Sequence, residues 1–353
     1  MKVLISTDTL GGVLTYTARL AAALEAQGDE VVVATMGPRL RREQRRLLPR
    51  RVHESGCRLE WMEDPWDDVA AAGRRLLALA EDERPDLVHL CSYSHGALPF
   101  RVPKLVVAHS CVLSWWRAVH GTEAPPSWNR YREETGAGLA AVDTVIAPTQ
   151  AILRELERDH DLPPGRTAVI HNGTPLPPVG KEEKEPLILG SGRFWDPAKN
   201  LATLDAAAAG LRWPVVVAGD LQGGEAPRHA RSTGVLSPAR LSKLRRRASI
   251  YAAPALYEPF GLGILEAAAE RCALVLADIP SLRELWSDAA IFVDPRDPEA
   301  LREALAGLAS DRWLRSSLAD RAQRRAASYS IDRAAHAYHR LYEILTATAE
   351  VAA

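Results

Sequence analysis

Long apolar runs are missing from this 353-residue chain, and nothing in it reads as a segment that crosses a bilayer. Cysteine is scarce, and Cys57, Cys91, Cys111 and Cys272 form no Cys-x-x-Cys pair. Aromatic residues make up only 6%, and neither charge sign is in real excess, the formal net charge being −1 with 25% of residues charged. That balance excludes disorder and a global attraction to nucleic acid, so any basic patch must be local. The start, Met1-Lys-Val-Leu-Ile-Ser6, passes directly into polar Thr7-Asp8-Thr9 and lacks the apolar core of a signal segment. The expectation is a soluble, cytoplasmic protein with reduced thiols and no nucleic-acid partner.

What is present is enough chain for two ordinary domains, each with its own apolar interior. Continuous apolar runs recur between helical patterns at Val3-Leu-Ile5, Val31-Val-Val-Ala34, Leu87-Val-His-Leu90, Leu105-Val-Val-Ala108 and Thr144-Val-Ile-Ala147. Runs that do not alternate suit parallel strands covered on both faces, which is α/β architecture. A polar, proline-rich stretch over 174–186 interrupts the pattern and reads as a linker. A second strand set follows at Leu187-Ile-Leu189, Val215-Val-Val-Ala218, Ser249-Ile-Tyr-Ala252, Ala273-Leu-Val-Leu276 and Ile291-Phe-Val293. The expected division is a first Rossmann-like domain over 1–173 and a second over 187–328. Beyond Pro298 the pattern is helical, with Leu301, Leu305 and Leu308, then Leu314 and Leu318, then Tyr338, Leu341 and Leu345 as apolar positions.

The stretch Ala255-Leu-Tyr-Glu-Pro-Phe-Gly-Leu-Gly-Ile-Leu-Glu-Ala-Ala-Ala269 sets Glu258 and Glu266 on either side of a glycine turn. Pro259 disfavours helix at Glu258, whereas Glu266 falls in the second turn of a helix starting near Gly261. Between them Gly261, Leu262 and Gly263 offer backbone N–H groups at a helix start, where an anion fits. Carboxylates beside a phosphate suit hydroxyl groups better than the phosphate itself, with a sugar on one side and a ribose on the other. An ordinary helix start with a solvent-exposed acid would leave the same pattern. Upstream, Leu187-Ile-Leu-Gly-Ser-Gly192 leads into Arg193-Phe-Trp-Asp-Pro-Ala-Lys199-Asn200. There two cations leave a strand end, positioned to neutralise a leaving phosphate without a metal.

With these residues in view the chain resembles the GT-B glycosyltransferases of the retaining family 4 type, over nearly its whole length. The matching pieces are Gly11-Gly12-Val13, His109-Ser110, Ile170-His-Asn-Gly173, Gly192-Arg193 through Lys199-Asn200, Gly234-Val-Leu-Ser237 and the Glu258/Glu266 turn with Phe260. Tyr329-Ser-Ile-Asp332 resembles the family's crossover, from which a C-terminal helix over 329–350 returns to the first domain. The resemblance implies two doubly wound domains facing across a cleft whose closure excludes water. It also implies transfer of a hexosyl group, with retention, from a nucleoside diphosphate sugar, UDP-sugar favoured. The acceptor (a sugar, lipid or small molecule) is not named by it, and no cofactor or metal is implied. Residue by residue, Arg193 and Lys199 would hold the diphosphate, Glu258 the donor sugar, Glu266 the ribose and Leu236 the base. Gly11 and Gly12 would serve the phosphate or acceptor side, and His109 would lie near the transferred sugar. Thr174-Pro175 stands where many relatives carry Val-Asp.

Other features are weaker. Cys91, His95, His109 and Cys111 sit at neighbouring strand ends, but a zinc site is not the expectation. Asp159-His160-Asp161 reads as a solvated turn at a helix end. The basic run Arg39 to Arg51, with Leu40, Leu47 and Leu48, reads either as a solvated helical face or as a peripheral contact with an anionic inner-membrane surface or acceptor. Trp115, Trp116, Trp128 and Tyr131 are expected in an irregular segment that lines an acceptor pocket or packs in the core. A dinucleotide oxidoreductase fits poorly, because Gly11-Gly12 is not Gly-x-Gly-x-x-Gly, although Asp220 ends a strand suggestively. A nucleotide-sugar epimerase of the same fold and a non-catalytic nucleotide-sugar binder stay open.

Overall fold

The computed structural model describes residues 1–177 and 183–352, with side chains as far as residue 349. It divides into two compact units. The first comprises Met1–Arg117, Thr122–Pro175 and the chain from Ile331 onward; the second comprises Leu176–Ser330 with Ala118–Gly121.

The first unit holds a seven-stranded sheet in the order β3-β2-β1-β4-β5-β6-β7. Its strands are β1 (Lys2–Asp8), β2 (Glu30–Met36), β3 (Val52–Glu54), β4 (Leu87–Leu90), β5 (Lys104–Val107), β6 (Thr144–Ala147) and β7 (Thr167–Val169). All its pairings are parallel. Helices α1 (Gly12–Ala26), α2 (Arg42–Arg45), α3 (Trp66–Glu83), α4 (Val112–His120), α5 (Asn129–Ala140) and α6 (Gln150–Asp159) fall between them. The second unit holds a six-stranded parallel sheet, β10-β9-β8-β11-β12-β13. These strands are β8 (Glu185–Arg193), β9 (Val215–Asp220), β10 (Arg231–Ser232), β11 (Ala248–Ala253), β12 (Ala273–Ala277) and β13 (Ala290–Val293). Its helices are α7 (Leu201–Ala208), α8 (Pro238–Arg247), α9 (Leu262–Ala269), α10 (Pro280–Trp286), α11 (Pro298–Ser310) and α12 (Arg312–Ala326). The central strands are mostly apolar because both faces are covered: β4, β6 and β12 have no exposed residue, with His89 and Thr144 the buried polar residues among them.

The last helix, α13 (Ile331–Ala352), packs on α1 in the first unit. The Ile331 N–H donates to the Thr174 carbonyl at 3.0 Å, which ties the start of α13 to the end of the unit's other segment. Tyr338 and Tyr342 are fully buried there, and the Tyr342 hydroxyl meets His89 Nδ1 at 2.6 Å.

Several sequence expectations need correction. The edge strands β3, β7 and β10 carry no continuous apolar run, because an edge strand need not be covered on both faces. Glu185 and Pro186, read as linker, belong to β8, and Arg247 donates to both Glu185 carboxylate oxygens at 2.6 and 2.8 Å. Residues 178–182 of that linker lie outside the described residues. The segment holding Trp115, Trp116 and Tyr131 is not irregular: it forms α4 and α5, with Tyr131 buried. Asp159 and His160 are not a solvated turn either. Arg117 donates to Asp159 at 2.6 and 2.9 Å, the Asp159 side chain is only 3% exposed and His160 is buried, because Arg117 of α4 pairs with both Asp159 and Glu155 of α6. The basic run forms only the single turn α2; Leu48 enters the core, and Arg51 pairs with Glu83 and Glu30. Leu314 lies on the exposed side of α12.

Candidate active site

In the second unit three chain segments converge at the ends of β8 and β11. After β8 the chain turns through Asp196, whose carboxylate accepts from the Ala198 N–H and starts the short turn Pro197–Lys199. Asn200 then adopts a left-handed conformation, φ 53°, and its side-chain amide donates to the carbonyls of Pro254 and Pro295. The Leu256 N–H donates to the Ala198 carbonyl at 2.8 Å, so the Lys199 turn and the loop after β11 are joined through backbone. The consequence is an ion pair: Lys199 Nζ stands 2.6 Å from Glu258 Oε2, with both side chains less than one-fifth exposed. Ser281 Oγ donates to the Glu258 carbonyl and holds the loop from the other side. Arg193 is more open, stacks over Trp195 at 5.3 Å and lies 3.8 Å from Asp196.

Gly261 precedes α9 in a left-handed conformation, φ 82°, where a side chain would be strained and its Cβ would meet Ile264. No side chain caps this helix, and the N–H groups of Leu262 and Gly263 stand in its first turn, where an anion is favoured. A Cβ at Gly263 would fall 2.9 Å from the Tyr251 hydroxyl, itself 2.8 Å from Ser191 Oγ. Phe260 faces the other way: its ring is buried edge-on against Tyr329, and only its backbone is left to meet a ligand. Glu266, one helical turn further on, is bonded to Arg245 Nη1 at 2.7 Å. Leu236 sits half-buried against the same apolar cluster. Arg245, Tyr251 and Ser191 carry no sequence signal that singles them out. Asp220 caps its own turn by accepting from the Gln222 N–H.

The first unit carries the remaining expected residues. Gly11, φ 79°, precedes α1, and Gly12 is its first residue; both are exposed. His109 follows β5, partly buried, with Nε2 3.5 Å from Cys91 Sγ and its ring edge-on to Tyr16 at 4.4 Å. Burial pushes its pKa down to about 3, so it is a neutral hydrogen-bonding group throughout the useful pH range. His95 and Cys111 are held elsewhere: His95 Nε2 meets the Val69 carbonyl, and Cys111 is buried behind α4. Among the described residues no three His, Cys, Asp or Glu side chains are gathered so as to hold a metal ion, and all four cysteines are free thiols.

His89, fully buried between Tyr16 and Tyr342, is likewise pushed down to about 3 by burial and then by neighbouring His109. Between pH 3 and the ordinary value of 6.5 the unfolded chain therefore binds protons at these two sites that the folded chain does not. Stability rises with pH across that window and is lost as pH falls below about 6.5. His95 and His160 shift in the same direction. Each of the two strongly shifted imidazoles is expected to cost roughly 2 kcal/mol between pH 6.5 and 5, at about 1.4 kcal/mol per pH unit. Urea midpoints measured across that range should fall with pH; a flat profile would contradict a pair of imidazoles held neutral.

Residues 10–176 match the family described as Glycosyltransferase Family 4, and residues 176–325 match that described as Glycosyl transferases group 1. The chain belongs to the family 4 glycosyltransferases. It is 31% identical over 174 residues to a phosphatidyl-myo-inositol mannosyltransferase of Mycolicibacterium smegmatis, a match covering 45% of each chain, so it spans about half the length of that relative. Among solved structures, sucrose-phosphate synthase from Thermosynechococcus elongatus superposes with a TM-score of 0.82 at 18% identity, covering 99% of this chain and 100% of that one. Anabaena HepE in complex with UDP and glucose gives 0.77 at 15% identity, with 98% and 100% covered. This family 4 chain thus has the GT-B fold, with two parallel α/β sheets and a C-terminal helix that packs on α1.

Proposed function

We propose that the chain transfers a hexosyl group, with retention of configuration, from a nucleoside diphosphate sugar, UDP-sugar favoured, to a sugar, lipid or small-molecule acceptor. The observation that carries this reading is the Lys199–Glu258 pair beside the uncapped start of α9. A diphosphate at that helix start draws Lys199 toward itself, and Glu258 then accepts hydrogen bonds from sugar hydroxyls. Arg193 and Lys199 offset the charge that builds on the leaving diphosphate, a role that asks for no divalent ion. The departing phosphate oxygen takes the acceptor's proton on the face from which it leaves. His109, neutral and held beside Tyr16 in the first unit, keeps a ring nitrogen able to hydrogen-bond a hydroxyl group. Support for the donor comes from the likeness to HepE, whose structure contains UDP and glucose.

The acceptor side is proposed from charge. Arg39, Arg41, Arg42, Arg46 and Arg50 are exposed, and Leu47 is 51% exposed among them. That combination fits peripheral contact with an anionic lipid surface, and the relative from Mycolicibacterium smegmatis is named for a phosphatidyl-inositol acceptor. Among the described residues no helix is long and apolar enough to cross a membrane.

The test is a thermal-shift panel of UDP, GDP, ADP and dTDP sugars, with and without magnesium, followed by product analysis with the stabilising donor. Stabilisation by one base class without need of metal, and an α-linked product from an α-linked donor, is the expected result. Binding without turnover on any sugar, lipid or polyol acceptor would instead identify a non-catalytic nucleotide-sugar binder.

A further inference from the structure

Behind Glu266 lies a buried polar cluster that the transfer reaction does not by itself require. Arg245, on α8, is 8% exposed along its side chain and bridges two acids of the α9 segment. Its Nη1 reaches Glu266 Oε2 at 2.7 Å, and its Nε reaches Glu270 Oε2 at 3.0 Å. The far side of Glu270 is fixed as well: Oε1 accepts from Ser242 Oγ at 2.6 Å, and Ser242 in turn accepts from Arg246 at 2.7 Å. The backbone at Arg245 is anchored too, since its carbonyl accepts from Lys184 Nζ at 3.2 Å and from the Cys272 thiol at 3.3 Å. The guanidinium is therefore held at both ends.

Glu266 and Glu270 are four residues apart, on the same side of the helix, where like charges repel. One planar guanidinium with donors on adjacent nitrogens joins both acids at once, which a point ammonium does not do. Its charge also offsets Glu266 beside the position assigned to a diphosphate. A carboxylate has about four acceptor sites, so Glu266 accepts from Arg245 and from ribose hydroxyls together.

We propose that Arg245 is a positioning residue for the nucleotide: it orients Glu266 toward the ribose and thereby sets the preference for ribonucleotide over deoxyribonucleotide donors. This rests on the donor reading above, in which Glu266 meets the ribose. A hydrogen bond to a charged group is worth about 1.5–3 kcal/mol, so the oriented carboxylate discriminates by roughly 10- to 150-fold. A guanidinium that only fastened α8 to α9 would affect stability and leave that ratio alone.

The experiment is calorimetric titration of UDP, 2′-deoxy-UDP, GDP and 2′-deoxy-GDP into the wild-type protein, Arg245→Lys and Arg245→Met. The expected result is a tenfold or greater preference for the ribonucleotide in the wild type, nearly lost in Arg245→Met and intermediate in Arg245→Lys. Affinity for the deoxy compound should fall by a smaller factor than affinity for the ribonucleotide, because the deoxy compound has no 2′-hydroxyl contact to lose. The lysine variant keeps the buried charge, so the comparison survives if the methionine variant does not fold. A wild-type ribo-to-deoxy ratio in Arg245→Lys, or no preference in the wild type, would overturn the proposal. Failure of the wild type to bind either UDP or GDP would instead overturn the donor reading on which it stands.

Discussion

Lys199→Ala is expected to lower kcat/KM by about 10²- to 10³-fold, the scale of losing one fixed group that stabilises developing negative charge. The loss should fall on both turnover and nucleoside diphosphate affinity, because the ammonium meets charge already present in the donor as well as charge that appears on departure. Removing the cation also leaves Glu258, 17% exposed along its side chain, without its 2.6 Å partner. A stability cost of roughly 1–3 kcal/mol follows, which shifts the unfolding midpoint by several degrees without abolishing folding. Steady-state kinetics with a melting curve on the same sample check both parts. Near-wild-type turnover in a folded Lys199→Ala protein would remove this residue from the site.

Glu258→Gln tests the other half of the pair and should behave differently. Losing hydrogen bonds between a carboxylate and sugar hydroxyls costs roughly 10- to 150-fold, and it should appear in the nucleotide sugar and not in the free nucleotide. UDP should bind the variant about as well as the wild type, or better, because Lys199 is released from a competing carboxylate. The combined Lys199→Ala/Glu258→Gln variant should lose less than the product of the single effects, since residues in direct contact are not additive. Equal losses of affinity for UDP and for its sugar conjugate would show that Glu258 supports the loop and does not read the sugar.

Both acids of this turn are legible in the amino-acid sequence, because Pro259 and the two glycines fix what the backbone does around them. So are the central strands, whose burial on both faces forces continuous apolar runs. The edge strands are not legible, since one exposed side removes that requirement. Arg245 is hidden for a related reason. It is the first of three consecutive arginines on α8, and nothing in Arg245-Arg-Arg247 distinguishes the one that turns inward. Only contact with Glu266 and Glu270 selects it; Arg247 pairs at the surface with Glu185. The Lys199–Glu258 contact has no local signal, because it arises from a backbone bond between Ala198 and Leu256. The burial of Asp159 is equally silent, its partner Arg117 lying 42 positions away.

The closing helix α13 also has a bearing on how the protein is made. The second unit is drawn almost wholly from one uninterrupted stretch of chain, whereas the first needs its last piece from beyond Ser330. During synthesis the second unit has its main segment complete while the first still lacks Tyr338 and Tyr342. Until they arrive, Tyr16 and His89 lack the ring contacts that Tyr338 and Tyr342 supply, and incompletely packed surface of that kind is prone to association. Of the two units, the one whose chain begins earlier is thus expected to complete its packing later.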